Sequence, residues 1–105
     1  MTTLAWVWMF MSLIGEVVGD LLVIYASKGM SYAYIGSFIA YSFMLFSWFK
    51  VVAITTELAV PGLIWLSGGA VLTVLIGVLV FGETLNITRI AGVILTFISL
   101  ILLSL

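Results

Sequence analysis

The chain has 105 residues, 66% of them hydrophobic and only 7% charged, with a mean hydropathy of +1.48, whereas a soluble domain carries about 25% charged residues. Three basic and four acidic residues give a net charge of -1, which leaves no basic patch to follow a phosphate backbone and argues against nucleic acid as a partner. With neither Cys nor His, disulfides, thiolate metal sites and cysteine nucleophiles are excluded, and most metal and acid–base centres lose their usual ligand or base. No cofactor, no metal and no enzymatic reaction are expected.

Four apolar segments follow in chain order, near residues 4–26, 32–54, 58–81 and 87–105, each long enough to cross about 30 Å of hydrocarbon. The expected fold is an all-α integral membrane protein, one four-helix transmembrane domain over residues 1–105. The first segment lacks a basic leader and a small-residue cleavage pattern, and it contains Glu16 and Asp20, so it reads as a retained helix rather than a signal peptide. Ser12, Glu16 and Asp20 recur at intervals of four and share one helix face, with Gly15 and Gly19 beside it as a small-xxx-small pair.

Glu16 is the sharpest feature of this segment. It lies about midway along the run, and an ionised carboxylate there costs at least several kcal/mol. The side chain is therefore expected to be protonated, paired with a cation, or facing water. A carboxylate that trades a proton for a cation is the central part of an exchanger; the plainer reading is a neutral acid hydrogen-bonded to another helix. Asp20 lies about 6 Å nearer one surface, either within the span beside Glu16, near the water interface, or paired with Lys50.

In the second segment, Tyr41 offers a hydroxyl or an aromatic wall, or simply packs between helices. The third carries Pro61 where a first helical turn tolerates it. Trp65 follows, able to stack on a cation or to sit in an interfacial belt, and then Ser67, Gly68 and Gly69, a weak step that makes a plausible hinge. Gly82 suits the stop of the third helix and Asn86 the cap of the fourth. Trp6, Trp8, Tyr32, Tyr34 and Trp48 lie near segment ends and read as aromatic belts. The connections, residues 27–31, 55–57 and 82–86, leave no room for a soluble domain, so function is expected inside the membrane.

Four spans put both termini and the second connection on one face. Lys28 and Arg89 then oppose Lys50 and the N-terminal amine, a very shallow bias under the positive-inside rule. Such a chain is expected to insert in both orientations, unless a partner selects one.

Gly15-Glu16-Val17-Val18-Gly19, Ile64-Trp65-Leu66-Ser67-Gly68-Gly69, Phe81-Gly82-Glu83-Thr84-Leu85, and Gly92 with Ser99 together resemble the small multidrug resistance family of the drug/metabolite transporter superfamily. The resemblance covers nearly the whole chain. It implies an antiparallel dimer in a bacterial inner membrane, made with a second copy or a paralogous subunit. In that dimer the Glu16 side chains share one site for protons and small organic cations: quaternary ammonium, polyaromatic or polyamine-like. Ser12, Gly19, Asp20, Tyr41 and Trp65 would line the site, Ser67, Gly68 and Gly69 would bend, and Gly92 with Ser99 would form dimer contact. Gly19 stands where the guanidinium-exporting branch tends to carry a tryptophan, so the chain looks more like the branch for bulky aromatic cations. Three positions depart from that branch: Gly62 replaces a usual tyrosine, Ile24 or a neighbour replaces a usual lysine, and Asp20 is unusual there. The alternative is a flippase-like or accessory four-helix subunit of a larger membrane complex.

Overall fold

The computed structural model describes Met1–Leu105 and contains four helices and no strand: α1 (Thr3–Ser27), α2 (Ser31–Thr55), α3 (Ala59–Leu79) and α4 (Ile87–Ser104). Each is long and apolar enough to cross a membrane. Even α4, with 18 residues, reaches ~27 Å at 1.5 Å per residue. The helices form two compact units, Met1–Leu58 holding α1 and α2, and Ala59–Leu105 holding α3 and α4.

In the first unit, α1 starts at Thr2, whose side chain accepts a hydrogen bond from the Ala5 N–H at 3.3 Å. It stops where Gly29 takes φ +100°, a left-handed conformation that glycine adopts without a Cβ penalty. The Gly29 N–H donates to the Ala26 carbonyl and the Met30 N–H to the Tyr25 carbonyl, at 3.1 and 3.2 Å. This paired closure satisfies carbonyls that the helix end would otherwise leave open. It also reverses the chain at once, so α2 returns beside α1.

The seam between the two helices is made mostly of small residues, with Met9 and Val51 as its larger members. Ala5, Met9, Ser12, Gly15, Gly19 and Ala26 are buried on α1, and Ala33, Ser37, Ser47 and Val51 on α2, at the three- and four-residue spacings of one helix face. Large apolar side chains such as Phe10, Phe38, Ile39 and Phe49 point outward. A soluble hairpin would place them the other way round. With small groups inward, the two backbones approach closely, the arrangement that favours helix pairing in lipid. The buried serines close on backbone carbonyls: Ser37 on Tyr34 and Ser47 on Phe43, at 2.8 and 2.9 Å. No hydroxyl among them is left to desolvate without a partner.

In the second unit, α3 carries Pro61 in its first turn, where the missing N–H breaks no hydrogen bond. It runs as unbroken helix through Ser67, Gly68 and Gly69. After Leu79 the chain turns through Gly82 at φ +67°, and the Glu83 N–H donates to the Gly77 carbonyl at 3.0 Å. The Glu83 carboxylate folds back against Gly77, in the space a side chain there would need. Asn86 then caps α4, its side chain accepting from the Arg89 N–H at 2.8 Å. No residue of α4 is buried.

α2 ends on a less comfortable residue. Thr56 takes φ 54°, a left-handed conformation that costs a β-branched residue about 1–2 kcal/mol. Its N–H nevertheless donates to the Val52 carbonyl at 2.8 Å, so the conformation serves the helix end. Thr56→Gly is expected to stabilise the protein by ~1 kcal/mol, and Gly29→Ala to destabilise it by a similar amount. Unfolding in mixed dodecylmaltoside and dodecylsulfate micelles checks both signs; equal midpoints for the two variants would contradict the strain assigned to Thr56.

Candidate functional site

The sequence candidates on α1 meet α2 along one line. Ser12, fully buried, donates to the Met44 carbonyl at 3.2 Å. One turn on, Gly15 faces the Ala40 carbonyl and Met44, where an added Cβ would come within 3.1 Å of both. At Gly19 a Cβ would sit 2.5 Å from Cε1 of the Tyr41 ring, closer than real carbon contacts permit. The absence of a side chain at Gly19 is what lets that ring lie across α1.

From this seat, the Tyr41 hydroxyl donates to Oδ1 of Asp20 at 2.5 Å. The short distance is that of a hydrogen bond to a carboxylate. It gives Asp20 a partner other than Lys50, namely Tyr41 across the hairpin. Lys50 lies elsewhere, its ammonium 5.4 Å from the centre of the Phe46 ring, with Trp8 packed edge-on against the same ring at 5.9 Å between centroids. Pairing of Asp20 with Lys50 is thereby replaced by two separate contacts, a carboxylate held by a phenol and a cation held over an aromatic face.

Glu16 stands between Ser12 and Asp20 on the same face and differs from both. Its Oε2 is buried and has no hydrogen-bond partner. Glu16 as a whole is half-buried, and a buried carboxyl oxygen without a donor is costly for the charged form, which a proton, a bound cation or water reaching the group relieves. Within the first unit, then, the structure joins Gly19 and Asp20 to Tyr41 across the seam, sets Ser12 on the Met44 carbonyl, and leaves Glu16 between them with an open oxygen. The hydroxyl of Tyr41 and the glycine under its ring were both visible as residues; their pairing with Asp20 and with each other was not.

The remaining candidates belong to the second unit. Trp65 is half-buried on α3, one turn after Pro61 and one before the buried pair Gly68 and Gly69. Ser67 is half-buried as well. On α4, Gly92 and Ser99 are exposed, and a Cβ at Gly92 would meet nothing within 4 Å. Gly77 and its contact with Glu83 carried no signal in the sequence beyond the glycine itself.

Two glycines thus make opposite predictions. Gly19→Ala forces the Tyr41 ring off its seat and is expected to destabilise the hairpin by about 1–3 kcal/mol, whereas Gly92→Ala adds a methyl to open space and is expected to leave unfolding of the subunit within ~0.5 kcal/mol of the parent. Micelle unfolding of the two variants side by side is the check, and equal effects would disprove the close seat at Gly19. No family model, curated protein or solved structure matches the chain, so the chemistry at this site rests on its own residues.

Proposed function

We propose that the chain is a proton-coupled antiporter that exports organic cations across a bacterial inner membrane, acting as an antiparallel dimer in which the Glu16 side chains share one site. The observation that supports this reading is the buried, unpartnered Oε2 of Glu16 on a helix long and apolar enough to span a bilayer. A proton or a cation on the group offsets the cost of holding that oxygen away from water. If both compete for it, the cation's arrival breaks the Glu16 O–H bond, its proton leaves to water, and the carboxylate that remains is paired with the positive charge. The reverse step on the other side of the membrane returns the proton and releases the cation.

The parts around that exchange follow from the resemblance described above. Trp65 and Tyr41 supply apolar walls for an aromatic or quaternary cation, and Ser67, Gly68 and Gly69 give α3 a place to bend between inward-open and outward-open states. The wholly unburied α4, with Gly92 facing open space, favours an assembly, since small positions let helices approach in lipid. The same unburied helix also favours the second reading, an accessory or flippase-like subunit whose partner is a different chain. Purification separates the two: a dimer of this chain alone fits the antiporter, and obligate co-purification with other subunits fits the accessory role.

Competition for one carboxylate fixes the direction of the pH effect. Where Glu16 is protonated, each bound cation displaces one proton, so cation affinity rises about tenfold per pH unit and levels off once Glu16 is already ionised. Tetraphenylphosphonium added to the detergent-solubilised parent is expected to release protons into a weakly buffered medium, and Glu16→Gln to release none. Equal release from both proteins, or none from the parent with any organic cation, defeats the reading.

A further inference from the structure

We infer that Tyr41 is a positioning residue that holds Asp20 out of the exchange, leaving Glu16 as the only carboxylate of the hairpin that trades a proton for a cation; the inference rests on the antiporter reading of Glu16. Two acids stand one turn apart on α1, ~6 Å along the axis. On composition alone they form a pair, able to carry two protons or to hold a dication. Their surroundings separate them. Oδ1 of Asp20 receives the Tyr41 hydroxyl at 2.5 Å, whereas Oε2 of Glu16 is buried and receives nothing.

A phenol has one proton to donate. While Tyr41 gives it to Asp20 it cannot give it to Glu16, so one acid has a fixed partner and the other must find a mobile one. The geometry that directs this choice is the seat at Gly19. An alanine there would meet Cε1, Cδ1 and Cζ of the ring within 2.9 Å, so the ring position, and with it the hydroxyl, depends on a bare Cα at position 19. Gly19 and Tyr41 together select which carboxylate exchanges.

Substrate charge follows from the same arrangement. With a fixed donor on Oδ1 of Asp20 and none on the buried Oε2 of Glu16, the hairpin offers one carboxyl group for exchange, which suits a singly charged organic cation. Replacing the hydroxyl with hydrogen, in Tyr41→Phe, keeps the ring on Gly19 and deprives Asp20 of its donor, so Asp20 must then take a proton or a positive charge for itself.

Proton release on adding tetraphenylphosphonium, measured for the parent, Tyr41→Phe, Glu16→Gln and the double variant, tests this. The parent releases protons and Glu16→Gln is silent. The Glu16→Gln, Tyr41→Phe double variant regains release through Asp20, and adding Asp20→Asn to it abolishes that release again. A double variant that stays silent while Tyr41→Phe alone still releases protons overturns the role of Tyr41. Release that persists after Asp20→Asn overturns it equally. A silent parent removes the antiporter reading and this inference with it, an outcome distinct from the other two.

Discussion

The close approach of α1 and α2 at Gly15 and Gly19 is the contact on which the rest of the first unit depends. A glycine inside a helix costs roughly 1 kcal/mol relative to alanine, and two of them on one face weaken α1 taken alone. What they allow offsets that cost: the Met44 backbone reaches Gly15, the Tyr41 ring lies across Gly19, and Ser12 reaches the Met44 carbonyl. In hydrocarbon, where apolar side chains gain nothing by leaving the solvent, such tight packing and interhelical hydrogen bonds are what hold two helices together. The small residues at the seam and the large ones outside are therefore one arrangement seen from two sides.

Much of the helical layout is legible in the sequence because it depends on local chemistry. Segment length and composition locate four helices, Asn86 marks the start of the fourth by its capping side chain, and Gly82 marks a left-handed stop after the third. Thr56 shows where such reading fails. Its left-handed backbone runs against the preference of a β-branched residue, so nothing in its identity announces the end of α2. Gly77 fails differently: its role is to leave room for Glu83, and that depends on how the following connection folds back.

The site was legible as a list and not as a set of pairs. Periodicity places Ser12, Glu16 and Asp20 on one face of α1, and all three do lie along the side that meets α2 or adjoin it. Periodicity says nothing about which residue of α2 each one faces. That information sits in the turn. A reversal centred on Gly29 pairs positions equally distant from it, so Leu22, seven residues before, packs on Gly36, seven after. By the same rule Lys50 falls opposite Trp8, far along the hairpin from Asp20, and Asp20 falls opposite Phe38, about one turn from Tyr41. Recognising the closure at Gly29 as a tight reversal would have ruled out an ion pair between Asp20 and Lys50 from sequence alone.

Glu16 and Asp20 show how little of a residue's chemistry lies in its name. Both are carboxylic acids on one face of one helix, a turn apart, and charge counting treats them alike. The difference between them comes from the opposing helix, which presents a phenol to one and no donor to the buried oxygen of the other. That phenol is positioned by a glycine, and the glycine is tolerated because the seam packs closely around it. A chain of dependence thus runs from backbone freedom at Gly19, through the ring of Tyr41, to the availability of a carboxylate four residues from Asp20. Substituting at any link removes the donor from Asp20, and in a low-dielectric setting an acid without a donor is the one that holds its proton most firmly.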